Sequence, residues 1–543
     1  MKGFQIQQKG ERRISAALRI MLVVVLLAVQ IGFVVAISYF MQEYLALAYG
    51  VVQVGALFLA VHIYNEPGEL SYKLIWFILL LLAPPVGMIL WFLWGGAAQK
   101  RHLPRNTKRF PDEPESVRMR SEIAVDKLTR QLPAWSRTAN YLCRRDFQLY
   151  QNTSVTYLPE GAILLRNLID RAAKAERFIF LEYFILAEGK LWDELEKILC
   201  AKAREGVEVK IIFDDFGNLT RFSDASLQAL QDAGVEVEVF NPVHRYVNRI
   251  YFNYRLREVG VEVFIFNPVH EYVNRLHFNY RDHRKIACID GDVAYTGGVN
   301  IADEYANIIE RFGYWKDSGV CLEGEGAWGL TASFIRMCVN LGGVMHNEHD
   351  YYRPHTPVKS EGFCQPFTDG PQNNPDNPAE DVFLQMISGA RRFLYITTPY
   401  FIPDESLMRA LCIAGDGGVD VRLMLPGKPD HWYADCVAES YFGELIKHGV
   451  KIYRYTPGFL HGKSIMVDRE AAFVGSANMD YRSFELDYEC GVMVYSAPMI
   501  ESLLEDMDMI VDHSRLVTKE EWAKRSVLRR VFEPLLRLFA IWM

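Results

Sequence analysis

The chain has no surplus of positive charge. Its 59 Lys and Arg stand against 67 Asp and Glu, a formal net charge of -8 over 543 residues. A general nucleic-acid binder, whose affinity rests on neutralising phosphates, is therefore disfavoured. Cysteine is sparse and scattered. The 9 Cys include no Cys-x2-Cys pair, so neither a zinc site nor a disulfide framework is suggested. Cys288 reads as a small buried hydrophobe. A clustered carboxylate site is also lacking, and no metal or cofactor is expected. Nor does the N-terminus resemble a cleaved signal peptide: its apolar run is too long and further runs follow it.

What the chain has instead is apolar sequence concentrated in its first hundred residues. Residues 17–40 and 45–64 are apolar, and 74–95 make a third run in which Pro84 and Pro85 predict a kink. Trp76, Trp91 and Trp94 suit an interfacial zone. The expectation is a transmembrane anchor over 1–99 with two or three spans, hence a multi-pass cell-membrane protein. Orientation is ambiguous. The basic clusters around Lys9–Arg13 and Lys100–Arg109 both favour the cytoplasm, which three spans would forbid. The scattered, unpaired cysteines place the catalytic part on the cytoplasmic side.

Residues 100–140 are charged and Pro-containing and read as a linker. From there strand-like and helix-like stretches alternate. In 141–345 the order is strand 176–184, helix 191–199, strand 207–215, a helix near 224–233 and strand 235–240. In 346–515 it is strand 391–401, helix 406–414, strand 419–426, a helix near 433–447 and strand 450–455. This predicts α/β packing and an internal duplication. A shorter repeat lies inside the first half. Residues 234–255 recur 26 positions later as 260–281, but the first copy ends with Arg257 where the second leads into His283. The extra unit, 234–259, can therefore supply no catalytic His. It reads as a tolerated insertion, a flap or an added edge strand.

One rare pattern occurs twice. H-R-K-I-A-C-I-D carries His283, Lys285 and Asp290, and H-G-K-S-I-M-V-D carries His461, Lys463 and Asp468, and these six residues are the catalytic candidates. Each is followed by a small-residue turn ending in Asn: G-G-V-N with Asn300, and G-S-A-N with Ser476 and Asn478. Residues two apart on a strand share a face, so each His is presented beside its Lys. If the halves pack with these strands facing, two imidazoles and two ammonium groups surround one phosphodiester. The lysines would neutralise non-bridging oxygens, one imidazole would attack phosphorus, and the other would protonate the leaving alcohol. Asp317 and Glu489 are candidates for the carboxylates that fix the imidazole tautomers. Asn300, Ser476 and Asn478 could bind phosphate or lock loops.

With these motifs the chain resembles the bacterial cardiolipin synthases of the phospholipase D superfamily. The stretches T-P-Y-F-I-P-D-E-S-L (398–407), L-P-G-K-P-D-H (425–431) and N-M-D-Y-R-S-F-E-L-D-Y-E (478–489) extend the likeness over nearly the whole length. The resemblance implies two α-β-α sandwich domains packed face to face behind N-terminal transmembrane helices. It also implies transfer of a phosphatidyl group between two phosphatidylglycerol molecules, with His283 as nucleophile and His461 as acid and base. The partners it implies are phosphatidylglycerol and anionic membrane lipids, not nucleic acid. Hydrolysis of the phospholipase D type, or another transfer such as phosphatidylserine synthesis, is the alternative. The family pattern has a single copy of the stretch repeated at 234–281. The end, 516–543, reads as an amphipathic helix broken at Pro534, fit for a lipid interface or for docking on the soluble part.

Overall fold

The computed structural model describes residues 45–66, 70–95, 113–218, 229–240, 280–346, 349–356, 358–373 and 376–537, with positions 32 and 221. The chain divides into two compact units, Met1–His102 and Leu103–Met543.

The first unit overturns the expected membrane anchor. No helix among the described residues is long and apolar enough to cross a membrane. The third apolar run is two helices, Leu70–Leu82 of 13 residues and Pro84–Trp94 of 11. Proline at the start of the second denies the first a continuous hydrogen-bond ladder. At 1.5 Å per residue they are about 20 Å and 16 Å long, short of the ~30 Å hydrocarbon layer. The second run forms Leu45–Asn65, interrupted by Gln53 and His62. Its Ala56, Leu59 and Ile63 are buried with Trp76, Leu80 and Trp91 in a small core of the unit's own, where Trp76 and Trp91 meet edge to face at 5.0 Å. The first run, 17–40, lies outside the described residues apart from one position. The three-span, multi-pass reading and the membrane placement built on it are therefore withdrawn.

In the second unit the duplication is explicit. One sheet has the strand order Thr153–Leu158, Gly319–Gly324, Val293–Gly297, Lys285–Ile289, Phe178–Tyr183, Glu208–Asp214, Glu236–Phe240. The other repeats it as Phe363–Asp369, Asp487–Tyr495, Ala471–Gly475, Ser464–Val467, Phe393–Thr397, Asp420–Pro426, Lys451–Tyr455, with Ser514–Leu516 added at the edge. In each, the last three duplicated strands are parallel and the central catalytic-motif strand is antiparallel to its neighbours. Parallel strands need crossovers, supplied by helices such as Lys190–Arg204 and Glu405–Asp416. The strands carry apolar residues on both faces because both faces are covered. Phe178 and Phe180 point into a core shared by the two halves, with Phe334, Met466 and Val492. Ile179 and Leu181 point the other way, onto the first half's own helices.

The edge strand Glu236–Phe240 belongs to the first copy of the short repeat and occupies the position that Lys451–Tyr455 holds in the other half. The rest of that copy and nearly all of the second, 241–279, lie outside the described residues. The stretch expected to be a linker contains the helix Glu115–Gln131. Near the C-terminus, Val527–Arg537 runs through Pro534 and docks on the helix Trp432–Lys447. There Arg529 pairs with Glu439 at 3.1 Å and Arg537 lies over the Tyr441 ring at 4.1 Å.

Candidate active site

Each motif histidine sits just before the central strand of its own half, and the chain leading into it pairs with the other half. Arg281–Asp282 pair in parallel with Asp487–Tyr488, and His283 N–H donates to the Tyr488 carbonyl at 2.9 Å. Gly458–Leu460 pair with Tyr314–Lys316, and His461 N–H donates to the Lys316 carbonyl at 2.7 Å. These two short ribbons bring the next residue of each partner strand under the opposite imidazole. His283 Nδ1 lies 2.9 Å from Glu489 Oε1, and His461 Nδ1 lies 2.6 Å from Asp317 Oδ2. The carboxylates are exchanged: each half orients the other's histidine. With Nδ1 held, Nε2 is the nitrogen left for chemistry.

Lys285 and Lys463 are almost fully buried. Lys463 Nζ is 3.0 Å from His461 Nε2 and 2.6 Å from the His461 carbonyl, and Lys285 Nζ donates to the His283 carbonyl. Burial pushes Lys285 down to about 8 and Lys463 down to about 7, Glu489 and Asp317 opposing the fall. Burial and the two ammonium charges hold His283 well below the usual histidine value and His461 down to about 4. Both imidazoles are thus neutral at rest, as a nucleophile needs to be. Glu489 is raised to about 7 by burial, against the pull of Lys285 and two serine hydroxyls.

Those hydroxyls are Ser476, which donates to Glu489 Oε2, and Ser483, which donates to Oε1 at 2.8 Å. Ser483 was not among the sequence candidates; its only sequence signal is its position in the 478–489 stretch. Asn478 N–H donates to Ser483 Oγ at 3.1 Å. Asn300 accepts from Ile185 N–H at 3.0 Å and donates to Tyr305 Oη at 2.7 Å. Tyr305, Trp315 and Phe459 pack around the His461 ring with centroids 5.3 to 5.5 Å away, and Phe184 packs on His283 at 5.2 Å. A Cβ at Gly298 would collide with the Asp317 carboxylate, so the glycine of the first tail leaves room for the orienting acid. Phe184, Tyr305 and Trp315 come from other segments than the two His-x-Lys motifs.

Asp290 and Asp468 are not brought to the site. Each lies at the far end of its five- or four-residue strand, about 13–17 Å along at 3.3 Å per residue. Asp290 adopts φ 52° and accepts N–H bonds from Glu176, Arg177 and Phe178 at 2.7–2.9 Å. Asp468 adopts φ 53° and accepts from Arg391, Arg392 and Phe393 at 2.8 Å. The catalytic role expected of them gives way to a positioning one. Each clamps the start of the neighbouring strand and thereby the register of the motif strand.

The comparisons agree with this duplicated architecture. The family described as "Cardiolipin synthase, PLD-like domain" matches residues 165–308 and 383–511, one block over each half. The chain belongs to the phospholipase D-like family. A further family, "Phospholipase_D-nuclease N-terminal", matches 54–96. Among similar proteins, a cardiolipin synthase of Halalkalibacterium halodurans is 31% identical over 92% of this chain and 95% of its own length. The major cardiolipin synthase of Bacillus subtilis is 32% identical over 88% and 95%. The phosphatidylserine synthase of Haemophilus influenzae shares the fold, with TM-score 0.51 and 15% identity over 73% of this chain and 97% of that one. Membership of the phospholipase D-like family supports enzymatic phosphatidyl transfer as the general class of activity.

His283, Asp487 and Glu489 place possible ligand atoms within 4.8 Å of one another, which is close enough for a cation. The donor set does not suit one. Both Glu489 oxygens are taken by serine hydroxyls and His283, and Asp487 pairs with Arg482 at 3.3 Å. The neighbouring lysines already supply positive charge.

The lysines set a pH expectation. A group whose ammonium form loses its proton near 7 or 8 carries its charge below that pH and not above. Anion binding is therefore strong at pH 6 and weakens as pH rises through the range 7 to 8. A profile of kcat/KM should fall above pH 8 by at least about tenfold per unit. A flat profile to pH 9 would exclude the lysines as the phosphate-binding charges.

Proposed function

We propose that the protein is a cardiolipin synthase, transferring a phosphatidyl group from one phosphatidylglycerol to another and releasing glycerol. The observation that carries this reading is the pair of motif imidazoles, each oriented by a carboxylate of the opposite half, together with relatives named for that activity over nearly full length. His283 Nε2 attacks phosphorus. The bond from phosphorus to the glycerol headgroup oxygen breaks, and His461 gives that oxygen its proton. A phosphatidyl-histidine remains. His461, now without the proton, accepts one from a headgroup hydroxyl of a second phosphatidylglycerol. That oxygen attacks phosphorus, the P–N bond breaks, and His283 is regenerated. His461 needs a proton for the first step although it is neutral at rest. The diester's negative charge offsets the lysines that depress it, so proton uptake accompanies substrate binding.

The test is product analysis with glycerol-labelled phosphatidylglycerol, run with and without exhaustive chelation on a soluble short-chain substrate. Cardiolipin and free glycerol in equal amounts, unaffected by chelator, are expected. Phosphatidic acid as the main lipid product would make the protein a hydrolase. A requirement restored by one divalent ion would replace the lysines with a metal.

A further inference from the structure

A second polar cleft, about 460 Å³ in volume, opens behind the catalytic strands. Tyr488 and Arg284 form part of its wall. Tyr488 precedes Glu489 on one strand, and neighbouring strand residues point to opposite faces. The cleft therefore lies on the side of that strand away from the imidazoles. Its other walls are the helix Glu115–Gln131, the turn after Ser136–Cys143, the helix Ala327–Asn340 and the end of the strand Phe363–Asp369.

Three arginines from three of these segments, Arg118, Arg145 and Arg336, line it. None forms an ion pair among the described residues. Arg145 stacks on the Tyr141 ring at 3.9 Å, which orients its guanidinium without neutralising it. The cleft has carboxylates too, but they are engaged or peripheral. Glu113 accepts from Trp328 Nε1 at 2.7 Å and pairs with Arg353 at 3.4 Å. Asp369 is buried and accepts from the Gly370 and Ala379 N–H groups and from Asn373. Asp146 has a partner of its own, and Asp376 is exposed at the rim. Arg284 is already held by Glu182 and Asp282. Three guanidinium groups with no ion pair among the described residues, set around a concave space, match the tetrahedral oxygens of a phosphate better than a single carboxylate. The volume exceeds what inorganic phosphate needs and accommodates a phosphoglycerol-sized group.

We propose that this cleft is a second anion site, distinct from the catalytic one, that binds a phosphate monoester or diester through Arg118, Arg145 and Arg336. It does not depend on the transfer reading. Tyr488 in its wall also holds His283 N–H through its carbonyl.

The test uses full-length protein and two probes, radiolabelled orthophosphate and a short-chain phosphatidic acid below its aggregation concentration. Lys285→Met with Lys463→Met removes the catalytic anion site. This variant should still bind one equivalent of a probe, with an affinity that falls as salt rises. Adding Arg145→Gln and Arg336→Gln should weaken that binding at least about tenfold. Arg118→Gln, at an exposed helix position that should not disturb folding, should weaken it several-fold. Orthophosphate binding as tightly as the lipid would identify a free anion as the occupant. Lipid binding about tenfold tighter would identify a headgroup. Either order supports the site. Loss of all probe binding in the double-lysine variant overturns it, as does binding unchanged by the arginine substitutions.

Discussion

Replacing His283 with Ala is expected to lower phosphatidyl transfer by several orders of magnitude, beyond the ~10²–10⁴ that loss of acid–base help alone would cost. The reason is that no other group stands ready to attack. His461 is held by Asp317 at Nδ1, and the Lys463 ammonium lies 2.9 Å from Nδ1 and 3.0 Å from Nε2. The buried lysines serve better as cations than as nucleophiles while they carry charge. Purified His283→Ala should form no covalent lipid adduct from labelled phosphatidylglycerol. His461→Ala should also turn over poorly, yet still accumulate an adduct from a substrate whose leaving group needs no proton. Near-normal turnover by His283→Ala would end the covalent mechanism.

The exchanged carboxylates lead to the second large effect. Asp317→Asn should behave like a lesion in the opposite half. Asp317 holds His461 at 2.6 Å, so its loss removes the group that fixes the acid's tautomer and stabilises its charged form. A fall of about 10²–10⁴ in kcat is expected. A headgroup analogue with a good leaving group should restore adduct formation by Asp317→Asn, because the first step then needs no acid. Glu489→Gln disturbs His283 instead and should not be rescued this way. If the rescue pattern is reversed, each carboxylate serves the histidine of its own half and the cross-half geometry does not operate in catalysis.

Glycine at 298 gives a related view of how tightly the site is built, since the collision of any Cβ there is with the Asp317 carboxylate itself. Ser476 and Ser483 hold Glu489 from both sides. The two orienting acids are thus supported differently in the two halves: Asp317 accepts from the Ser318 N–H at 2.8 Å and has the room that Gly298 leaves, and Glu489 accepts from two hydroxyls. This asymmetry is consistent with giving the two histidines different tasks.

The candidate catalytic pairs and the order of elements were legible in the sequence. His283 with Lys285 and His461 with Lys463 were legible because a strand period of two puts each pair on one face. The β and α alternation was legible because apolar periodicity survives in runs such as 207–215 and 419–426. Asp317 and Glu489 could be nominated, but not assigned to a histidine, because each follows its own motif at similar spacing and nothing local says that the lead-in strands cross between halves. Asp290 and Asp468 were misread as catalytic because a motif lists residues without their distance along a strand. Apolar composition at 1–99 likewise could not say where helices end: Pro84 breaks one run into two short helices, a backbone effect that hydrophobicity does not register. The assignment of each carboxylate to a histidine came from the folded chain alone, because pairing between the halves is set by hydrogen bonds between segments more than a hundred residues apart, which no local sequence signal encodes.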